Sequence, residues 1–427
     1  MRRIFVAAAL LGCASAAGAE TVVVTAGRMV DVLAGRVVDE PVVVITDGRI
    51  ASVVGRGGAR PVIPEGARRI DLPGKTILPG LIDMHVHLSS SPFYGPYDTL
   101  QFTDQFETVL GVGNARDMLQ AGFTTVRNIG SSDYADVAYK QAIEEGRISG
   151  PRIVPAAYSL GATGGHCDSN FLPPSLAPKD PGVGDGPQAL RGLVRQQRKF
   201  GAEVIKVCAT GGVFSRNTEP GQQQLSEEEL RAIAEEAHQW GLRVAAHAHG
   251  AAGIKAAIRA GIDTIEHASL VDDEGIKLAA ERRQPVWFSM DIFNTDYTQA
   301  EGAKNGILED NLRKDREVAQ IQRDNFRKAH RAGVKMVFGS DAGVMPHGTA
   351  AGQFRTMTQY GMTPMEAIQA ATRNAAQALG RERDVGAIAV GRYGDIIAVD
   401  GDPIADVRQL EDVDVVIKGG KIEKNKN

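Results

Sequence analysis

The sequence predicts an α/β protein: a (β/α)8 TIM barrel beside a small β domain that both chain ends build together. Three observations carry that reading. Between about residue 81 and residue 340, short apolar strand segments alternate with helical ones. Runs rich in β-branched residues, broken by Gly and Asp-Gly turns, lie before and after that stretch. The 49 glycines fall mostly singly at apparent strand–helix junctions, as the tight loops of an α/β protein require.

Composition narrows the field further. The chain of 427 residues is 43% hydrophobic and 23% charged, an ordinary globular balance that excludes wholesale disorder. Lys and Arg number 48 against 52 Asp and Glu, a formal charge of −4, with no basic run before the tail at 421–426. A dedicated nucleic-acid surface is therefore excluded.

The elements follow in order. Residues 1–19 read as a signal peptide: Arg2 and Arg3, an apolar stretch over 4–12, then Ala17-Gly18-Ala19 before Glu20. The apolar stretch falls short of the roughly 20 residues a membrane span needs, so no stable span is expected. Export to the periplasm or beyond is the expectation. Leu10-Leu11-Gly12-Cys13 loosely matches a lipoprotein box, but Leu11 fits it poorly, so lipidation of Cys13 is the less favoured alternative. After cleavage only Cys167 and Cys208 remain. Two cysteines so far apart do not make a disulfide framework, and they read as two buried or loop thiols.

Residues 20–80 form the N-terminal part of the β domain. Strand runs at 21–25, 41–45 and 49–54, punctuated by Gly27, Asp47-Gly48 and the glycines of 55–58, predict a small antiparallel sheet with hairpin turns. Residues 81–380 form the barrel. Its strands are expected at 81–85, 124–128, 152–157, 204–207, 243–246, 264–266, 285–289 and 335–339, with helical spacing in 227–240 and 315–332. After a helical 363–379, residues 381–427 return to strands at 396–399 and 413–417, bounded by Asp400-Gly401 and Gly419-Gly420. The long segments 89–98, 162–186 and 291–310 read as loops. Their aromatics Tyr94, Tyr97, Phe171, Phe293 and Tyr297 either line a side-chain pocket or pack the loops down.

The chemistry gathers at strand ends. His85-Val86-His87 closes the first barrel strand, and alternate strand residues share a face, so both imidazoles can approach one ion. His247 and His249 close the fifth strand, His267 the sixth and Asp341 the eighth. Five of the chain's nine histidines thus stand on one predicted rim, where barrel enzymes place their sites. Lys206 interrupts the apolar fourth strand. A lysine is expensive to bury as a cation, so either its amine snorkels outward or carbon dioxide converts it to a carbamate anion.

His85-x-His87, Lys206, His247, His267 and Asp341 resemble, in order and strand position, the metal-dependent amidohydrolase superfamily. The lead-in Leu78-Pro79-Gly80-Leu81-Ile82-Asp83-Met84-His85 is similar too. Segments 161–166, 206–212, 247–250, 265–269 and 339–348 resemble its prolidase-like (Xaa-Pro dipeptidase) branch, which includes ochratoxin-hydrolysing amidases. The resemblance covers most of the mature chain and implies a β-sandwich-like shape for the end domain. It implies two divalent metal ions, for which zinc suits the histidine and oxygen ligands best. His85, His87 and Asp341 would hold one ion, and His247 and His267 the other. Carboxylated Lys206 and a hydroxide would bridge them. Asp341 would also be the catalytic proton shuttle, or else a ligand alone.

His166, His249 and His347 lie outside that metal pattern and are candidate substrate contacts; His166 and His249 can equally support ligands. The implied substrates are small: dipeptides or N-acyl amino acids, with ochratoxin-like amides included. Homo-oligomers suit the resemblance, yet nothing in the sequence shows one. Two rivals stand. A mononuclear cyclic-amide hydrolase or deaminase, imidazolonepropionase-like, needs no carbamate bridge. A non-catalytic binding protein of the same fold would be expected to lose ligands, and none is missing.

Overall fold

The computed structural model describes residues 20–59, 61–176 and 180–426; the expected signal peptide with Cys13 lies outside the described residues. Five strands come first: β1 (Thr21–Asp31), β2 (Arg36–Asp39), β3 (Val42–Thr46), β4 (Arg49–Val54) and β5 (Arg68–Pro79). The barrel strands follow as β6 (Leu81–Val86), β7 (Phe123–Asn128), β8 (Arg152–Pro155), β9 (Val204–Cys208), β10 (Arg243–Gly250), β11 (Thr264–Leu270), β12 (Trp287–Ser289) and β13 (Lys335–Val337). The chain closes with β14 (Ile396–Val399), β15 (Val415–Lys418) and β16 (Lys421–Asn425).

All eight expected barrel strands are present and parallel, with ends shifted by a few residues. They run β13-β12-β11-β10-β9 in one sheet and β6-β7-β8 in another. Backbone hydrogen bonds join the two at both seams. Met84 N–H donates to the Phe338 carbonyl (2.9 Å) and His87 N–H to Ala342 (2.8 Å). Across the second seam, Leu160 N–H donates to Lys206 (2.8 Å) and Cys208 N–H to Leu160 (2.8 Å). The ring is closed there by residues beyond the strand ends, at the rim that carries the site.

Both chain ends meet in one sheet, ordered β16-β15-β14-β5-β1-β3-β4 with β2 on β1. The expected antiparallel sheet is mixed, because β1 pairs with β5 in parallel, a contact between strands far apart in sequence. Period-two alternation ties the sheet to the barrel. Ile396 and Ala398 of β14 face the sheet's own core with Val22, Val43 and Ile45, while Ile397 and Val399 face the barrel's helical shell. Ile77 and Leu78 of β5 divide the same way. Arg152 at the foot of β8 completes the joint with two hydrogen bonds to Asp395, at 2.9 and 3.1 Å.

Two expectations are corrected. Segment 291–310 is not all loop: it contains a helix at Asn294–Glu301, and the helix expected over 315–332 already begins at Glu309. Asn, Thr and Asp rank low as helix formers, so packing against the second helix outweighs local preference here. The two cysteines are not free thiols: Cys167 and Cys208 are joined, with Cα atoms 5.9 Å apart, because the stretch carrying Cys167 reaches the rim beside the end of β9. No helix among the described residues is long and apolar enough to cross a membrane.

Candidate active site

The strand ends converge on a cavity of about 250 Å³ lined by His85, His87, Lys206, His247, His267 and Asp341 among others. His166 and His249 line it as well. His347 does not: it lies behind His87, within hydrogen-bonding distance (3.1 Å) of that residue's carbonyl. Two residues reach the cavity by leaving ordinary strand geometry. His267 (φ 67°) and Asp341 (φ 57°) occupy the left-handed region, which non-glycine residues adopt at a cost of order 1–3 kcal/mol and mainly at functional sites.

The polar atoms fall into two groups that share His267. Ligand atoms of His85, His267 and Asp341 lie within 4.8 Å of one another, and so do those of His247, His249 and His267. Asp341 Oδ1 stands 3.2 Å from His85 Nε2 and 3.5 Å from His87 Nε2. Burial alone would raise the Asp341 pKa, but His85 and His87 hold it well below the carboxylate range, so it is ionised. Burial pushes His87 down to about 3 and His247 and His249 well below their usual value. These imidazoles are therefore neutral, with lone pairs free to bind a cation.

Lys206 settles one alternative. It is 3% exposed, so its amine does not snorkel to solvent. Burial drives its pKa down to about 8 against the pull of the Glu266, Asp341 and Asp291 carboxylates, and its side chain makes no hydrogen bond or close ion pair among the described residues. A buried amine among imidazoles and carboxylates stands where a carbamate would face cations. The donor set as a whole fits two divalent ions of the zinc type.

Behind the cluster lies a layer the sequence reading did not single out. Arg127 crosses the barrel interior from β7 to place Nη2 2.7 Å from Glu266 Oε1, while Nε donates to the Met84 carbonyl (2.6 Å). The other oxygen of Glu266 is 3.2 Å from His85 Nδ1. His267 Nδ1 is 2.9 Å from Asp291, and His249 Nδ1 2.8 Å from Ser269. Asp83 accepts from the backbone of His85 and from Ser340, fixing β6 to the end of β13. The signal for Glu266 was available: it is a charged residue inside an apolar strand, like Lys206. Arg127 gives the same local signal, but its partner lies 139 residues away.

The loop aromatics pack the loops down. Tyr94 meets Phe102 and Phe106, and Tyr97 meets Phe171. The apolar wall of the cavity comes instead from Val213, Phe214, Val318 and Val344.

Fold and site together define a barrel enzyme whose rim presents a metal-ready cluster of histidines, one carboxylate and a buried lysine. Residues 76–422 match the amidohydrolase family, and the chain belongs to that family. Ochratoxinase from Aspergillus niger is 33% identical over 373 residues, covering 82% of this chain and 75% of its own. A crystal structure of a Xaa-Pro dipeptidase with methionine bound in its active site is 35% identical with a TM-score of 0.88. It covers 94% of this chain and 99% of that one. A prolidase complexed with N-methylphosphonate-L-proline gives 33% identity and a TM-score of 0.86 over 95% of this chain and 100% of that one. The protein is a hydrolase acting on C–N bonds.

Proposed function

We propose that this protein is a binuclear metal-dependent hydrolase of the amide bond in dipeptides or N-acyl amino acids, working after export. The observation that carries the reading is the pair of ligand groups sharing His267 in the cavity that buried Lys206 also lines. His85, His87 and Asp341 would hold one divalent ion, His247 and His267 the other, and carboxylated Lys206 would bridge them. Ions bound there would polarise the scissile carbonyl and lower the pKa of the attacking water.

The chain's own residues do the rest. Asp341, ionised and on the cavity wall, takes the water's proton at a carboxylate oxygen and delivers it to the departing amine. Asp291 orients the ring of His267 through a hydrogen bond, and the Glu266 carboxylate lies 3.2 Å behind the ring of His85 as a counter-charge. His166 and His249 face the cavity with neutral rings and contact the substrate. His347, held on the His87 carbonyl, supports the backbone of a ligand instead. Val213 and Phe214 shield the amide from bulk water. A cavity of about 250 Å³ suits a small substrate.

The test joins metal analysis to a library of dipeptides, N-acyl amino acids and ochratoxin-like amides. Two equivalents of divalent metal with release of an amino acid support the reading. One equivalent with ammonia release or ring opening would replace it with the mononuclear reading, against which Lys206 weighs.

A further inference from the structure

The connection from β8 to the next helix runs over residues 156–186 and has no helix or strand of its own among the described residues. Most of its hydrogen bonds close it on itself: Thr163 bonds Asp185, Gly161 exchanges backbone bonds with 182 and 184, and Asn170 reaches back to Gly165. One covalent bond adds to the few contacts that fasten its outer half, such as Phe171 against Tyr97 and the His166 N–H on Gln224. Cys167 is joined to Cys208, which ends β9 two residues after Lys206, and both cysteines line the catalytic cavity.

The neighbour of Cys167 is His166. Its ring stacks on His247 with centroids 4.0 Å apart and planes 22° from parallel. Gly212 makes room, since a Cβ there would lie 2.4 Å from the ring. The backbone N–H of His166 donates to Gln224 (2.8 Å), but its Nδ1 has no hydrogen-bond partner among the described residues. The ring is thus placed by stacking and by its backbone, and that backbone is held by its bond to Gln224 and by the neighbouring disulfide.

We propose that the Cys167–Cys208 bond is a redox-dependent positioning element that fixes His166 at the mouth of the site. A water-soluble phosphine reverses it: the phosphine gives two electrons to the S–S bond, water supplies two protons to make two thiols, and water's oxygen leaves on the phosphine as its oxide. The loop then lifts, and His166 no longer meets the substrate in one orientation. This rests on the amide-hydrolase reading for its kinetic readout alone.

The experiment compares the metal-loaded, folded protein when oxidised, phosphine-reduced and reoxidised, alongside Cys167→Ser/Cys208→Ser. Reduction is verified by thiol titration. Limited proteolysis reports the loop, metal analysis the cluster, and steady-state kinetics the site. Reduction should open the segment around Cys167, residues 162–176, to cleavage and leave the metal in place. kcat/KM should fall about 10²-fold, the scale expected for a misplaced positioning group. Reoxidation should restore it, and the double variant should behave as the reduced protein and ignore phosphine. Reduced protein with unchanged proteolysis, unchanged kcat/KM, or a loss that follows metal release would each overturn the proposal. If no amide proves to be a substrate, the proteolysis arm still decides.

Discussion

Lys206, Asp341 and Glu266 each leave a distinct signature when changed. With Lys206 as the proposed bridge between two ions, Lys206→Ala should lose one of them and the activity together. Full metal content with normal turnover would remove the carbamate. Asp341→Asn keeps an oxygen near the ions but not the base. At saturating metal its turnover should fall by about 10²–10⁴-fold, the usual worth of general acid–base help. A residual rate close to the parent's would leave Asp341 a ligand alone. Glu266→Gln strips the counter-charge from Arg127, which is 1% exposed in the barrel interior. Breaking such a buried pair costs about 3–5 kcal/mol, measurable as denaturant stability of the metal-free protein. Metal affinity should drop about 10–100-fold as His85 loses the counter-charge behind its ring.

At the scale of elements, the barrel's strand β10 is pinned at its foot by the first residues of the β11 segment. Asp263 accepts from His238 (2.8 Å), from Arg243 (2.8 Å) and from the Val244 N–H (2.8 Å). Burial would raise its pKa, but these bonds outweigh burial and hold it below 3.8. A carboxylate depressed on folding gives stability that is fully present above its unfolded pKa and lost as pH falls through the folded one. Thermal melts from pH 6 down to 3 should therefore show the parent losing stability faster than Asp263→Asn. At neutral pH the variant should be less stable by about 1–3 kcal/mol. Parallel pH slopes for the two proteins would show that Asp263 carries no such linkage.

How much of the molecule the sequence made legible also divides by element. Strand ends carrying His85, His87, His247, His267 and Asp341 could be read because period-two alternation and ligand chemistry are both local. Lys206 was legible for the same reason, as a misfit in an apolar run. The β1–β5 pairing, the Arg127–Glu266 bridge and the Cys167–Cys208 bond were not, since each joins residues that only the closed fold brings together. The helix Asn294–Glu301 was missed because its stability comes from its neighbour rather than its residues.

The whole molecule depends on its last strands. β14 lies between β5 and β15, and its two faces feed both the sheet core and the barrel shell. Removing residues 396–427 should therefore leave no folded barrel, read as lost soluble yield and no cooperative melt. A soluble truncated barrel that still binds metal would show the sheet to be an independent addition. The same arrangement sets an order of events during folding. Until residues 396–399 have been made and have docked, the Thr76–Pro79 edge of β5 presents unpaired backbone groups beside Ile77 and Leu78. An open edge of that kind is a template for pairing with other chains. The period of greatest aggregation risk thus lasts until residues 396–399 have been delivered, and a partner that shields that edge would guard the chain for as long as β14 is missing.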